Sequence, residues 1–425
     1  MTAPATAPSE RRLLAGYHAL GRPAGLRDHR ARYGALPSLG PEPGERAGTR
    51  LIGLLDEAGL TGRGGGAFPT GRKLRSVAES GRSPVVVVNA AEGEPLSGKD
   101  RLLLAVAPHL VLDGAVLAAS ALRARRIAVC VHSAESAAQV ESALAERGPV
   151  RSVAVRVVRV PGRYVASEET ALVNHLSGRE AKPAFTPPRP FERGVGGRPT
   201  LVANAETYAH IALIARYGPR WFRACGTPDA PGTALFTVSG AVLRPGVIEA
   251  PLGTSVAGLL RMAGGPAEQL QAILTGGYGG AWLPIRRART PATPAAFAAA
   301  GAALGPGIIV ALPARVCGVA ESARIMRWLA DETAGQCGPC TFGLPAIAED
   351  LAALADGRAG ETVWRRLHGR LSAVAGRGAC RHPDGAVRFA TSALRVFGPH
   401  LAAHRHPGNC PAAQGPGLLP TRGGR

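Results

Sequence analysis

Lysine is almost missing from this chain. Of 50 basic residues only Lys73, Lys99 and Lys182 are lysine. A guanidinium is a planar fork and an ammonium a compact point charge, so the two do not substitute freely at a tight anion site. Lysines that persist against such an arginine bias therefore mark places where a point charge is wanted. Aromatics are also scarce, at 4%, and no Lys/Arg block stands among them. The formal net charge of +20 is spread along the sequence, which argues against nucleic-acid binding and for docking an acidic protein partner. Seven cysteines in 425 residues are too few for a disulfide framework and suit a reducing compartment. The most apolar run, residues 102–122, is broken by Pro108, His109 and Asp113 and fails as a membrane span. Residues 1–10 lack the basic and then apolar pattern of a secretory leader. These absences predict a cytoplasmic protein, not integral to a membrane.

What is present is enough apolar sequence, 46% of residues, for two or three folded units. Residues 1–45 read as a Pro- and Arg-rich, partly ordered lead-in. Residues 46–228 alternate strand-like runs (85–88, 127–131, 153–160) with helical ones, the order of an α/β domain with a largely parallel sheet. Residues 229–315 carry short β runs around one helix at 256–262, which predicts a small α+β domain. Residues 316–405 turn helical, a bundle. Residues 406–425 read as a loose tail.

The chemistry concentrates in four segments. The first is Gly62, Arg63, Gly64, Gly65, Gly66, Ala67, Phe68 and on to Lys73. Consecutive glycines let backbone amides approach a phosphate closely, and the lysine adds a cation. The spacing is neither a Walker loop nor GxGxxG. The second follows the apolar strand: Asn89, Ala90, Ala91, Glu92, Gly93 and Glu94, then Lys99, Asp100 and Arg101. Polar groups at the carboxyl end of such a strand are where α/β sheets bind ligands. The third is Ser167, Glu168, Glu169 and Thr170, where acids in a first helical turn equally serve the helix dipole. The fourth comprises Lys182, Phe185, Asn204 and Thr207.

In this order the four segments resemble the FMN- and NADH-binding flavoprotein subunit of respiratory complex I and the diaphorase subunits of NAD-linked hydrogenases and formate dehydrogenases. The resemblance spans residues 51–404. It implies a Rossmann-like FMN/NADH domain, a ubiquitin-like β-grasp domain and a helical iron–sulfur domain, matching the three units above. It implies that Gly62, Arg63, Gly64, Gly65 and Gly66 with Lys73 hold FMN and the NADH phosphates. Asn89, Glu92, Asn204 and Thr207 would line the flavin. Glu94, Glu168, Glu169 and Lys182 would grip NAD(H), with Phe68 and Phe185 sandwiching its adenine. Glu92 and Glu94 are the candidate catalytic positions, although hydride transfer to FMN needs no proton-shuttling side chain. Glu169 beside a ribose disfavours a 2′-phosphate. Four positions depart from the family pattern: Ala91 for Asp, Ser167 for Gly, Ala203 for Asn, and Ser76 for an adenine-stacking Phe.

The same resemblance implies a 4Fe–4S cluster on a Cys-x-x-Cys-x-x-Cys loop with a distant fourth cysteine. The run here is Ala334, Gly335, Gln336, Cys337, Gly338, Pro339 and Cys340, with Cys380 as the distant partner. One of four expected thiolates is missing. Three readings stay open: a cluster completed by solvent or by Glu332, His382 or Cys410; an empty bundle; or a zinc or redox pair at Cys337 and Cys340. Cys130, Cys225 and Cys317 read as small buried hydrophobes. The expected activity is NADH dehydrogenase within a complex, passing electrons to an acidic ferredoxin-like or complex-I-like partner, with membrane association only through partners. The alternative is a non-catalytic structural or assembly subunit.

Overall fold

The computed structural model describes residues 12–39, 46, 48–80, 82–148, 153–358, 360–404 and 410–421. The first domain is built on strands β1 (Val85–Ala90), β2 (Arg126–Val131), β3 (Ala154–Arg159) and β4 (Thr200–Asn204). All pair in parallel, in the order β3-β2-β1-β4. Strand β1 is a near-continuous apolar run because both of its faces are covered. Val86 and Val88 enter a large core with Leu110, Val111, Tyr208 and Ile211, while Val85 and Val87 meet Cys130, Leu172 and Val202. The helices Pro108–Ala121 and Ala205–Arg223 cross so closely that a Cβ on Gly114 would lie 1.8 Å from the Tyr208 carbonyl oxygen. Only glycine permits that crossing.

The second domain has five strands: β5 (Thr233–Gly240), β6 (Gly246–Pro251), β7 (Leu270–Thr275), β8 (Ala281–Pro284) and β9 (Ile308–Pro313). Their order is β6-β5-β9-β7-β8, with β5 and β9 parallel at the centre and the other pairs antiparallel. The helix Val256–Met262 covers one face through Val256, Leu259 and Leu260, against Phe236 and Val238. The opposite face, with Leu274, Trp282 and Val310, packs on the third domain. That domain is a bundle of the helices Gly318–Asp331, Leu344–Ala355, Glu361–Val374 and His382–Phe397.

One expectation, the loose tail, needs correction. Within the partly ordered lead-in, residues 12–39 are folded: helices Ala15–Leu20 and Leu26–Tyr33 pack on the first domain, and Leu13 and Leu14 are buried. The backbone N–H groups of Arg12, Leu13 and Leu14 converge on the Glu249 carboxylate at 2.9–3.0 Å. Proline-rich composition masked this apolar pair. Within the tail, residues 410–421 lie against the bundle, with Cys410 and Leu419 buried. There Leu419 N–H donates to Glu321 at 2.6 Å, and the Tyr278 hydroxyl donates to the Pro420 carbonyl at 2.5 Å. The remaining lead-in and tail positions fall outside the described residues. No single described helix is long and apolar enough to cross a membrane. The helices Lys99–Val106 and Pro108–Ala121 pass that test only as a pair bent by 96°, and they supply the first core.

Candidate functional site

All three domains meet at one cleft of about 340 Å³, at the carboxyl ends of β1 and β4. The α/β domain brings Gly64, Gly65, Asn89, Glu92 and Glu94; the β-grasp domain brings Gly276, Gly279 and Gly305; the bundle brings Cys380, Arg381 and His382. Gly65, at φ +106°, forms an isolated antiparallel bridge with Gly305, so the glycine coil is docked onto the second domain.

Beneath the cleft lies a buried polar network. Lys99 is 1% exposed and its ammonium meets Asp100 at 2.9 Å, Glu206 at 3.0 Å and the Asn204 amide oxygen at 2.6 Å. Burial alone would lower its pKa, but Asp100 and Glu206 outweigh burial and hold it above the ordinary lysine value. Asn204 caps the helix Ala205–Arg223 and donates to the Asn89 carbonyl at 3.0 Å and to Asp100 at 2.6 Å. Asn89 donates to the Ser167 carbonyl at 2.9 Å. Each side chain is held by its neighbours, which rigidifies the floor.

The two acidic candidates differ. Glu92 is engaged by protein: it accepts from Ser97 at 2.6 Å and from the Asp100 and Arg101 amides at 3.0 and 3.1 Å, capping the helix Lys99–Val106. Glu94 is only partly satisfied. One oxygen accepts from the Tyr278 amide at 3.0 Å, and Oε1 is buried with no hydrogen-bond partner among the described residues. Burial pushes Glu94 up to about 7, against the pull of the Tyr278 and Leu96 amides and the Tyr164 hydroxyl. A Cβ on Gly277, at φ +80°, would sit 2.4 Å from this carboxylate. Tyr164, which no sequence motif marks, lines the same cleft, and burial, then the Glu94 charge, keep its phenol protonated.

Of the other nucleotide candidates only Glu168 lines the cleft; Gly62, Gly66, Phe68, Lys73, Glu169, Lys182 and Phe185 are not among its lining residues. Lys73 pairs with Glu169 at 2.8 Å and donates to the Val202 carbonyl at 3.0 Å. Lys182 pairs with Glu180 at 2.7 Å. Phe68 is 42% and Phe185 72% exposed, large apolar faces without cover; the Arg72 guanidinium lies 5.6 Å over the Phe68 ring. Glu168 caps the helix Glu169–Leu176, and burial raises its pKa. Arg63 and Thr207 are not brought into the cleft. The Thr207 hydroxyl accepts from the Arg63 amide at 3.0 Å and the Arg63 side chain reaches the Pro231 carbonyl at 3.2 Å, so the two shape the coil from behind. The Ser167 hydroxyl turns back on the Tyr164 carbonyl at 3.1 Å.

Beside the cleft the three expected cysteines come together. Cys340 lies in a π-helical turn, Pro339–Gly343, of a kind common at functional sites. Its thiol is pushed up to about 12 by burial, then by Cys337 and Cys380, and it hydrogen-bonds Cys337. The soft donor set suits iron–sulfur chemistry at three corners; Ala334 offers nothing at the fourth. Of the alternatives, Glu332 accepts from the Tyr164 amide at 2.9 Å. His382 gives Nε2 to the Leu329 carbonyl at 2.9 Å and keeps a buried Nδ1 without a partner among the described residues. Cys410 lies elsewhere, 3.3 Å from His400. Cys317 is buried, as expected, and its sulfur lies 3.2 Å from His404.

A parallel α/β domain with a glycine coil, a β-grasp module and a thiol-bearing bundle around one cleft defines a multidomain flavin and iron–sulfur electron-transfer protein. Comparison with known proteins narrows the class. Residues 55–213 match the profile described as Nuo51 FMN-binding domain, 235–279 the SLBB domain, and 320–404 the NADH-ubiquinone oxidoreductase-F iron-sulfur binding region. The second of the F subunits of NADH-quinone oxidoreductase in Rhizobium meliloti is 31% identical over 89% of this chain and 94% of its own. The F subunit of the Streptomyces coelicolor enzyme is 31% identical over 91% and 88%. Among solved structures, the NAD+-reducing [NiFe]-hydrogenase in the H2-reduced state superposes with a TM-score of 0.78 at 31% identity. That match covers 84% of this chain and 63% of the hydrogenase chain. The chain belongs to the family of NADH-quinone oxidoreductase F subunits.

Proposed function

We propose that this chain oxidises NADH as the flavoprotein subunit of an electron-transfer assembly, with hydride transfer from NADH to FMN followed by single-electron transfer to an iron–sulfur centre or docked carrier. The observation that carries this is the shared cleft: the glycine coil, Glu94 and Cys380 line one cavity, so a flavin there would lie beside the thiols. FMN, when bound, supplies a hydride acceptor that can release electrons singly.

The chain's own residues bind and orient. Amides of Gly64, Gly65 and Gly66 and the Lys73 ammonium would hold phosphate, with the arginine-rich surface adding attraction; the Gly62 amide donates to the Phe68 carbonyl at 2.9 Å and closes the coil instead. Lys73 would exchange its Glu169 partner for phosphate, freeing Glu169 for a ribose hydroxyl and so favouring NADH over NADPH. Asn89, Glu92 and Asn204 hold the rigid wall along the flavin, and Arg63 and Thr207 set the coil's shape. The unpartnered Glu94 oxygen is a ready acceptor for a nucleotide hydroxyl or amide, with Glu168 beside it. Phe68 and Phe185 would offer exposed faces for adenine, and Lys182 a positive charge. Cys337, Cys340 and Cys380 would hold a cluster at three irons. The net charge of +20 favours an acidic ferredoxin-like or complex-I-like partner, which would also carry any association with the inner face of a membrane.

The test is anaerobic purification with flavin, iron and sulfide assayed on one sample, followed by FMN reconstitution and NADH titration. Retained flavin absorbance that bleaches with NADH is expected. A reconstituted chain that stays colourless after desalting sinks the enzymatic reading and leaves the structural-subunit alternative suggested by Ala91, Ser167 and Ala334.

A further inference from the structure

A second set of metal-type side chains lies in the bundle, apart from the three cysteines beside the cleft. Cys317, His400, His404 and Cys410 each offer one ligand atom, and the four atoms lie within 4.8 Å of one another. Cys317 Sγ is 3.2 Å from His404 Nε2, and His400 Nε2 is 3.3 Å from Cys410 Sγ. A tetrahedral zinc with bonds of roughly 2.0–2.3 Å has ligand–ligand edges of roughly 3.3–3.8 Å, so only small side-chain shifts separate this cluster from a coordination shell.

The surroundings favour metal over a chance polar contact. His404 Nδ1 is 2.7 Å from the Ala355 carbonyl. A carbonyl can only accept, so Nδ1 carries the proton and Nε2 keeps its lone pair toward Cys317, the outer hydrogen bond typical of a ligating histidine. Cys317 caps the helix Gly318–Asp331 and accepts from the Ala320 amide at 3.4 Å, which fixes the sulfur in place; burial, and Cys410 beside it, push the thiol up to about 11, so a bound metal has to displace its proton. Cys317, His404 and Cys410 are buried while His400 is exposed, leaving one side for entry.

We infer that Cys317, His400, His404 and Cys410 form a structural zinc site that fastens the C-terminal strap to the bundle. Two thiolates and two imidazoles select zinc over harder cations, and binding releases the two thiol protons to solvent. The site draws together the start of one bundle helix, the 3₁₀ turn Gly398–His404 and the strap that begins at Cys410. The strap in turn reaches Tyr278, whose amide holds Glu94. Because Cys410 serves here, it is not a ligand of the cluster at Cys337, Cys340 and Cys380.

The experiment is elemental analysis of zinc and iron on the same reductant-treated, anaerobically purified full-length chain, wild type against Cys410→Ser, His400→Ala and Cys337→Ser. Wild type and Cys337→Ser should carry about one zinc per chain. Cys410→Ser should lose it. His400→Ala, an exposed change that leaves the core intact, should weaken zinc roughly tenfold or more against a chromophoric chelator. Cobalt(II) in the wild type should give the visible bands of a tetrahedral thiolate site. The inference is overturned if wild type takes up neither metal, if His400→Ala holds zinc as tightly as wild type, or if mass mapping finds Cys317 and Cys410 joined as a disulfide under these conditions.

Discussion

Glu94 is the residue whose environment departs furthest from what its chemistry prefers. Its folded pKa is raised by burial to about 7, above that of an exposed carboxyl, so between about pH 4.5 and 7 the folded state keeps a proton that the unfolded chain has released. Stability therefore falls as pH rises through this window. Glu94→Gln removes the effect: denaturant titrations should show the variant gaining on wild type by up to about 3 kcal/mol between those limits and level above pH 7. Equal pH slopes for both proteins would contradict the assignment. Gly277 makes a matching prediction. Gly277→Ala combines a left-handed backbone with a contact on Glu94, and should cost about 1–3 kcal/mol together with loss of flavin retention, measured by melting and by absorbance after desalting.

Elements are joined by buried charges more than by their own propensities. Asp113, on the helix Pro108–Ala121, meets His29 at 2.8 Å and also pairs with Arg147 and Arg216. These partners come from three separate helices, including Leu26–Tyr33 of the lead-in. Burial alone would raise the Asp113 pKa, but His29 and the two arginines outweigh it and hold it well below the usual carboxylate range. A depressed pKa means stability that is present above the unfolded carboxyl value and lost as pH falls below it. Asp113→Asn should cost about 3–5 kcal/mol at neutral pH, since all three partners lose their anion, and should flatten the acid limb of the stability profile. Lys99→Met attacks the other network. It leaves Asp100 buried without its cation and Glu206 with only the Arg63 charge, and thermal melting should show a loss of the same order.

At the scale of the molecule the domains are not beads on a string. Glu249 of β6 accepts from three amides of residues 12–14, so residues 12–14 are clamped onto the second domain while the helices that follow cover the first. Glu249→Gln should therefore lower the melting temperature of the whole chain in one transition, because both cores share the staple; separate transitions would show that the domains melt independently. The iron–sulfur region makes the other prediction at this scale. Ala334→Cys supplies the missing thiolate, and after anaerobic reconstitution the iron content should approach four per chain and resist oxidative loss longer than in wild type. An unchanged iron content would place Ala334 too far from the other three thiols.

Periodicity and composition were sufficient for much of this architecture. Four valines in a row required a strand covered on both sides, and β1 is one. The helix at 256–262 and the strands around it were legible because alternation is local information. The motifs also located the cleft, since a glycine coil and a polar turn after a buried strand fall at the sheet's carboxyl edge in any parallel fold. Other features depend on residues far apart in sequence. Nothing local to Glu249 says that it receives Leu13, 236 residues away. Nothing in the spacing of Cys317, His400, His404 and Cys410 brings four ligand atoms within 4.8 Å. Glu92 and Glu94 look equivalent in the sequence, yet one is spent on capping a helix and the other is buried with a free oxygen. Element type follows from the pattern of neighbouring residues; partnership and pKa follow from which surfaces the tertiary packing removes from water.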